Sequence, residues 1–309
     1  MALTVVGFFG VASCNRHKSA DEMKQDTRHK GYRGELTIAV DESLGSIMKQ
    51  DKEVFEYLYD SVKVNLIYGP EKEMLEAFRH KKATLLILAR ELDKPEIAAI
   101  REIDTIAVRE QPVAYDAVAL IGNPEFDDKD LDMAQLSRYF DPRASANGPR
   151  LVFDGKNSST VNFVVQKLGY KEKVSSNVYA LQSAQEVIDY VSANKNVVGF
   201  VPYNLVSDAD DQRAKKVLES VKILSLRAQS ADSVNVRVRA SQGDIAEGIY
   251  PLIRTVNTIT YNTYDDNLEL LMVSFLAKEK GARIFLKAGL VPVKIPERYI
   301  IVNEGEGKK

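Results

Sequence analysis

The sequence predicts an α/β protein in two lobes, and three observations carry that prediction. Short apolar runs bounded by Gly, Pro or Asp alternate with helix-period segments three times in about seventy residues, the pattern of a parallel sheet with right-handed crossovers. A longer run, Val113 to Ile121, then leads into a second series of alternating strands and helices. The length, 309 residues, is about twice that of a usual domain, enough for two modest lobes.

The first strand is Leu36 to Val40, LTIAV, held between Gly34 and Asp41. Leu44, Ile47, Met48, Val54, Phe55 and Leu58 follow on one helical face, so Asp41-Glu42-Ser43-Leu44 joins the carboxyl end of a strand to the start of a helix. In open α/β sheets ligands bind at such ends. Val62 to Tyr68 is strand-like, Gly69-Pro70 breaks it, and Pro70 at the first helical position opens a helix with Met74, Leu75 and Phe78. Thr84 to Ala89 is a third buried strand ending on Arg90, and Asp93-x-x-Glu96 forms a capping box for the next helix. Val113 to Ile121 is interrupted by Asp116, a carboxylate that must be paired or face a polar cleft, because burying it alone costs several kcal/mol. The second lobe then holds a helix near Met133 to Phe140, a strand Arg150 to Phe153 and a helix opened by Ser158. A helix capped at Ser183-x-x-Glu186 and the strand Val197 to Val201 come next, and Val221 to Leu226 leads back out. YPLIRTVNTITY from Tyr250 is a β-branched strand, followed by a helix with Leu268, Leu271, Met272, Phe275 and Leu276. Gly281 punctuates that helix and Gly289 to Pro292 ends the ordered part.

Within Asp154 to Leu168, the residues Val161, Val164, Val165 and Leu168 mark a buried helix face, and Ser158, Ser159 and Thr160 stand at its mouth. A helix start offers unpaired N–H groups and a positive dipole end, and three hydroxyls add rotatable donors, so the stretch can seat an oxyanion. On local sequence alone the plain alternative stays open: Ser158 is an N-cap and its neighbours face water.

The formal net charge of −2, with no basic stripe, excludes a nucleic-acid surface. His17, His29 and His80 are scattered, so no zinc site or histidine relay is available and no cofactor is implied. No Gly-x-Ser-x-Gly elbow, Walker loop, His-Glu-x-x-His or Cys-x-x-Cys is present, which argues against an enzyme. The single cysteine, Cys14, follows the apolar run ALTVVGFFGVAS, too short to span a membrane. The run resembles a bacterial lipoprotein signal with a lipidated Cys14; a buried strand with an inert thiol is the other reading. Residues 15–33 are polar and without apolar period, a flexible tether, and 301–309 read as a disordered tail.

Taken together, LTIAVDESL, LLILARELD, AYDAVALIGNP, LVFDGKNSSTVNFV, VVGFVPYN, YPLIRTVNTI and FLAKEKGARIFLKAGLVP resemble, in order and spacing, the substrate-binding proteins of phosphate ABC importers, of the type II periplasmic-binding-protein fold, over about residues 34 to 295. The resemblance implies two lobes, 34–115 plus 228–300 and 116–227, each a mixed, mostly parallel sheet flanked by helices. Two hinge strands would join them around a dehydrated phosphate. Carried over residue by residue, it implies ligand contacts at Glu42, Ser43 and Leu44 in the first lobe and at Ser158, Ser159 and Thr160 in the second. Ser159 stands where the family more often has Gly. Asp154 stands where well-known members carry an Arg, so the positive charge is expected from Arg90. Asp154, Asp116, Asp41 and Glu42 are the acceptor candidates for a protonated anion, Asp154 foremost.

The function so implied is capture of phosphate, or a similar tetrahedral oxyanion, by a monomeric lipoprotein. It would sit in the periplasm or at the cell surface, tied to the membrane by its lipid only, and deliver to an ABC importer permease. The alternative is an anchored two-lobe sensory or interaction module that has lost phosphate binding.

Overall fold

The computed structural model describes residues 31–103, 107–129, 131–143, 148–170, 175–207, 212–228, 236–261 and 267–295. Cys14, most of the tether and the tail lie outside them.

Strand β1 (Gly34–Asp41) runs parallel to β2 (Val62–Gly69) and to β3 (Leu85–Leu88). The four side chains of β3 are all buried, as an apolar run covered on both faces requires. The crossovers are α1 (Gly45–Leu58), reached through a single 3-10 turn at Glu42–Leu44, and α2 (Glu71–Arg79). Helix α3 (Lys94–Ile103) follows β3. Pro70 sits one position earlier than expected, as the N-cap of α2, with extended backbone. The Asp93–Glu96 box forms in both directions: Glu96 N donates to Asp93 Oδ1 (2.8 Å) and Asp93 N to Glu96 Oε2 (2.9 Å).

β4 (Val108–Gly122) is the spine of the molecule. Its first part pairs antiparallel with β11 (Ile253–Tyr261) and its last part with β7 (Val197–Pro202). Among the described residues the strand order is β2-β1-β3-β11-β4-β7-β5-β6, where β5 (Arg150–Phe153) is parallel to both β7 and β6 (Val178–Ala180). β8 (Lys222–Ile223) and β12 (Val291–Pro292) also pair with β4. The result is a mostly parallel sheet in each half, joined across β4 and β11, the two strands that pass between the cores.

The first core packs Ile38, Val40, Ile47 and Phe55 against Val256, Met272 and Phe285. The last two residues come from α9 (Leu268–Leu276) and α10 (Glu279–Lys287). Gly281 lies inside α10, where a Cβ would stand 2.6 Å from Leu276 Cα; the glycine permits a close helix approach instead of a break. Around the second core run α4 (Met133–Phe140), α5 (Ser159–Lys167), α6 (Ala184–Ala193) and α7 (Gln212–Ser220). Phe153 and Phe200 stack there with ring centres 4.3 Å apart. This core continues past residue 227, the boundary expected from sequence. β9 (Leu226–Arg227) pairs with β10 (Arg237–Val238), and Ile245 on α8 (Gln242–Ala246), Tyr250 and Leu252 pack into the same cluster. Buried Tyr250 is fixed by its hydroxyl, which donates to Val118 O at 2.8 Å, so packing carries the second lobe up to the start of β11. No helix among the described residues is long and apolar enough to cross a membrane.

Candidate functional site

Parallel strands bring their carboxyl ends to one edge. In the first lobe Asp41 is the register partner of Gly69, and Val40 that of Ile87, so Ser43, Glu71 and Arg90 all start from that edge. In the second lobe β5 ends at Phe153, and Asp154 and the hydroxyl loop follow immediately. The two edges face one another beside β4 and β11.

At their meeting point lies a guanidinium that the sequence reading did not single out. Arg254, on β11, opposes Asp116 on β4 in the antiparallel register. Its Nε donates to Asp116 Oδ2 at 2.8 Å and its Nη2 stands 2.7 Å from the same oxygen. Nη1 donates to Ser159 Oγ of the second lobe at 3.1 Å, and Nη2 to Ser43 Oγ of the first at 3.3 Å. The two hydroxyls are themselves 3.4 Å apart, and Asn204 Nδ2 donates to Ser43 O at 2.9 Å. Both lobes and both connecting strands thus converge on one cation whose side chain is 0% exposed. Burial works against its charge, but Asp116 first and then Asp41 more than offset that, so its pKa lies above the ordinary value. Burial raises the Asp116 carboxyl, and Arg254 opposes the rise. The signal for Arg254 was in the sequence: an arginine inside a β-branched strand needs a partner for the same reason that Asp116 does.

Ser158 is the N-cap of α5, and its Oγ accepts from Val161 N at 3.3 Å. Ser158 Oγ also donates to Asp154 Oδ1 (2.6 Å), and Thr160 Oγ1 to Asp154 Oδ2 (3.2 Å). Asp154 therefore holds the loop by accepting from two of its hydroxyls, and Ser159 is the hydroxyl turned to the other lobe. Burial raises the pKa of Asp154, with Ser158 and Arg254 opposing. Ser43 N donates to Asp41 Oδ1 at 2.9 Å, which tightens the first-lobe turn, while Asp41 Oδ2 is buried with no hydrogen-bond partner among the described residues. Leu44 is a core residue, 1% exposed. Glu42 lines a chamber of about 440 Å³ with Ser43, Asp154 and the start of α6. Its carboxyl is raised by burial, then by Asp154 and Asp41.

The structure places Arg90 differently from the expectation. Its guanidinium forks onto Glu96 (2.7 and 2.8 Å), and Nη2 also donates to Glu71 Oε1 at 2.6 Å. Burial opposes its charge, but Glu96 and Glu71 raise its pKa overall. Two carboxylates within reach, one of them the N-terminal residue of α2, hold it on the wall of the cleft, and Arg254 meets the hydroxyl loop in its place. Among the described residues no group of three His, Cys, Asp or Glu could hold a metal.

The comparisons agree with this architecture. A structure from Clostridium perfringens described as a phosphate ABC transporter substrate-binding protein with bound phosphate is similar at 18% identity, covering 84% of this chain and 100% of that one, with a TM-score of 0.67. An ABC-type phosphate transport receptor from Vibrio cholerae gives 18%, 84%, 100% and 0.64. PstS from Borrelia burgdorferi gives 17%, 85%, 100% and 0.57. At such identities the likeness is one of fold. No curated protein sequence matches. The family model of the PBP superfamily domain matches residues 25–286, and the chain therefore belongs to the PBP superfamily, in the type II periplasmic-binding-protein fold.

Proposed function

We propose that the chain captures phosphate, or a similar tetrahedral oxyanion, between its lobes and hands it to an ABC importer permease. One observation carries this reading: Arg254 binds hydroxyls of both lobes at once, Ser159 at 3.1 Å and Ser43 at 3.3 Å, beside the start of α5. An anion entering between Ser43 and Ser159 would exchange their direct contact for charge-assisted bonds to the guanidinium and to N–H groups at the start of α5. It favours the closed form only by the difference in its affinity for the closed and open states. The phosphate proteins named above support the same solute. An extracytoplasmic, non-enzymatic and monomeric lipoprotein anchored through Cys14 fits this role.

The second reading, a two-lobe sensory or interaction module without phosphate, is favoured by the pairing of Arg254 with Asp116, for which an anion must compete. Titration calorimetry of the purified chain with phosphate, sulfate and molybdate separates the two. Capture requires saturable binding of at least one, with phosphate foremost; binding of none would leave the module reading.

A further inference from the structure

Beside the seat at Arg254 lies the larger part of the interlobe gap, a cleft of about 990 Å³. Glu71 and Arg90 form its first-lobe wall, Asn162 and Tyr170 its second-lobe wall, and Tyr115 and Arg254 belong to its floor. Arg254 links the two spaces, since its guanidinium is spent on the seat while the residue also lines the cleft. Asn162 follows Ser159 by three residues, about 4.5 Å along the helix. On the opposite wall Glu71 begins α2 two residues after Gly69, next to the turn that carries Ser43. The near end of the cleft therefore opens beside the seat.

A bare tetrahedral ion leaves this volume unused, since organic ligands fill cavities of about 300–1,000 Å³. The lining indicates what the rest of the ligand carries. Acidic side chains outnumber basic ones by one, with Lys72 the remaining cation of the described lining, and each guanidinium is already matched: Arg90 by Glu96 and Glu71, Arg79 by Glu76, Arg254 by Asp116. Glu71 is 3% exposed, and while its Oε1 accepts from Arg90, its Oε2 has no hydrogen-bond partner among the described residues. A buried carboxylate oxygen without a donor costs about 1–3 kcal/mol, which a ligand N–H would recover. The floor offers the ring of Tyr115, 38% exposed, whose π face attracts a cation. Among the described residues of the lining the donor left without an acceptor is Arg79 Nε, on a residue eight positions further along α2, a helix rise of about 12 Å from Glu71.

We infer that the solute is a phosphoester or phosphonate bearing an amine on a short linker, with its anionic head in the Arg254 seat and its ammonium turned to Glu71. This rests on the reading of the seat as a phosphate site. The test is calorimetry of the full chain with inorganic phosphate, O-phosphoethanolamine, glycerol 3-phosphate and ethanolamine. O-phosphoethanolamine should bind about tenfold or more tightly than phosphate or glycerol 3-phosphate, the gain expected of one charged hydrogen bond. Ethanolamine alone should give no measurable heat. Glu71→Gln, which keeps an acceptor for Arg90, should bring O-phosphoethanolamine down to the affinity of glycerol 3-phosphate; should that variant misfold, the series on the unaltered chain decides. Phosphate binding as tightly as O-phosphoethanolamine overturns the amine assignment and leaves phosphate capture standing, whereas ethanolamine binding as tightly as the ester means that the phosphate head adds nothing and overturns the seat together with the inference. Binding of none of the four overturns both.

Discussion

Arg254 and Asp116 are the residues on which the seat depends, and their burial makes the consequence of separating them large. Arg254→Met leaves a carboxylate 1% exposed and unpaired, and should cost about 3–5 kcal/mol in urea unfolding. Adding Asp116→Leu removes the stranded charge and should restore most of that stability. A double variant no more stable than the single one would show that the pair is not the coupled unit described. Asp51 offers a separate residue-scale test, because it is 0% exposed on α1 and neither carboxylate oxygen has a partner among the described residues. Burial holds its carboxyl well above the ordinary value. A carboxyl raised in the folded state contributes fully below the unfolded value, about pH 4, and loses that contribution as pH climbs toward the raised value. Asp51→Asn should therefore stabilise the protein by about 1–3 kcal/mol at pH 7 and by much less near pH 4. A gain that is the same at both pH values would contradict this.

The elements around the site were largely legible because they are local. Periodicity and caps mark α5, with its cap at Ser158, and α6, with its cap at Ser183, and the apolar runs mark β1, β2, β3, β5 and β7. The site's cation was not legible in that way. Arg90 sits at the end of a strand, where ligands often bind, but its partners are Glu96, six residues on, and Glu71, nineteen residues back. Arg254 reaches Asp116 across 138 positions of sequence and Ser43 across 211, separations that no helix or strand period records. At this scale Ser158→Ala tests the hydroxyl loop. It removes the α5 cap and strips one oxygen of buried Asp154 of its donor, so a loss of about 1–3 kcal/mol is expected by chemical denaturation. A loss within about 0.5 kcal/mol would mean that the loop is not held through Asp154.

For the whole molecule, the two cores share β4 and β11 and are tied again at the end of α10. There Ser207 Oγ donates to Ala288 O at 2.7 Å, and Gln242 Nε2 to Leu286 O at 2.7 Å. Gly289 allows this approach: its φ is +87°, and a Cβ there would stand 2.2 Å from Ser207 Cβ. Gly289→Ala should lower the Tm and loosen one lobe against the other, seen as faster hydrogen exchange in α10; an unchanged Tm would contradict that contact. The central claim, that an oxyanion is held where Ser43, Ser159 and Arg254 meet, is tested most directly by calorimetric titration of phosphate into the unaltered chain and into the Arg254→Met/Asp116→Leu double variant. Saturable binding to the first and none to the folded second is the result expected, and equal binding to both would contradict it.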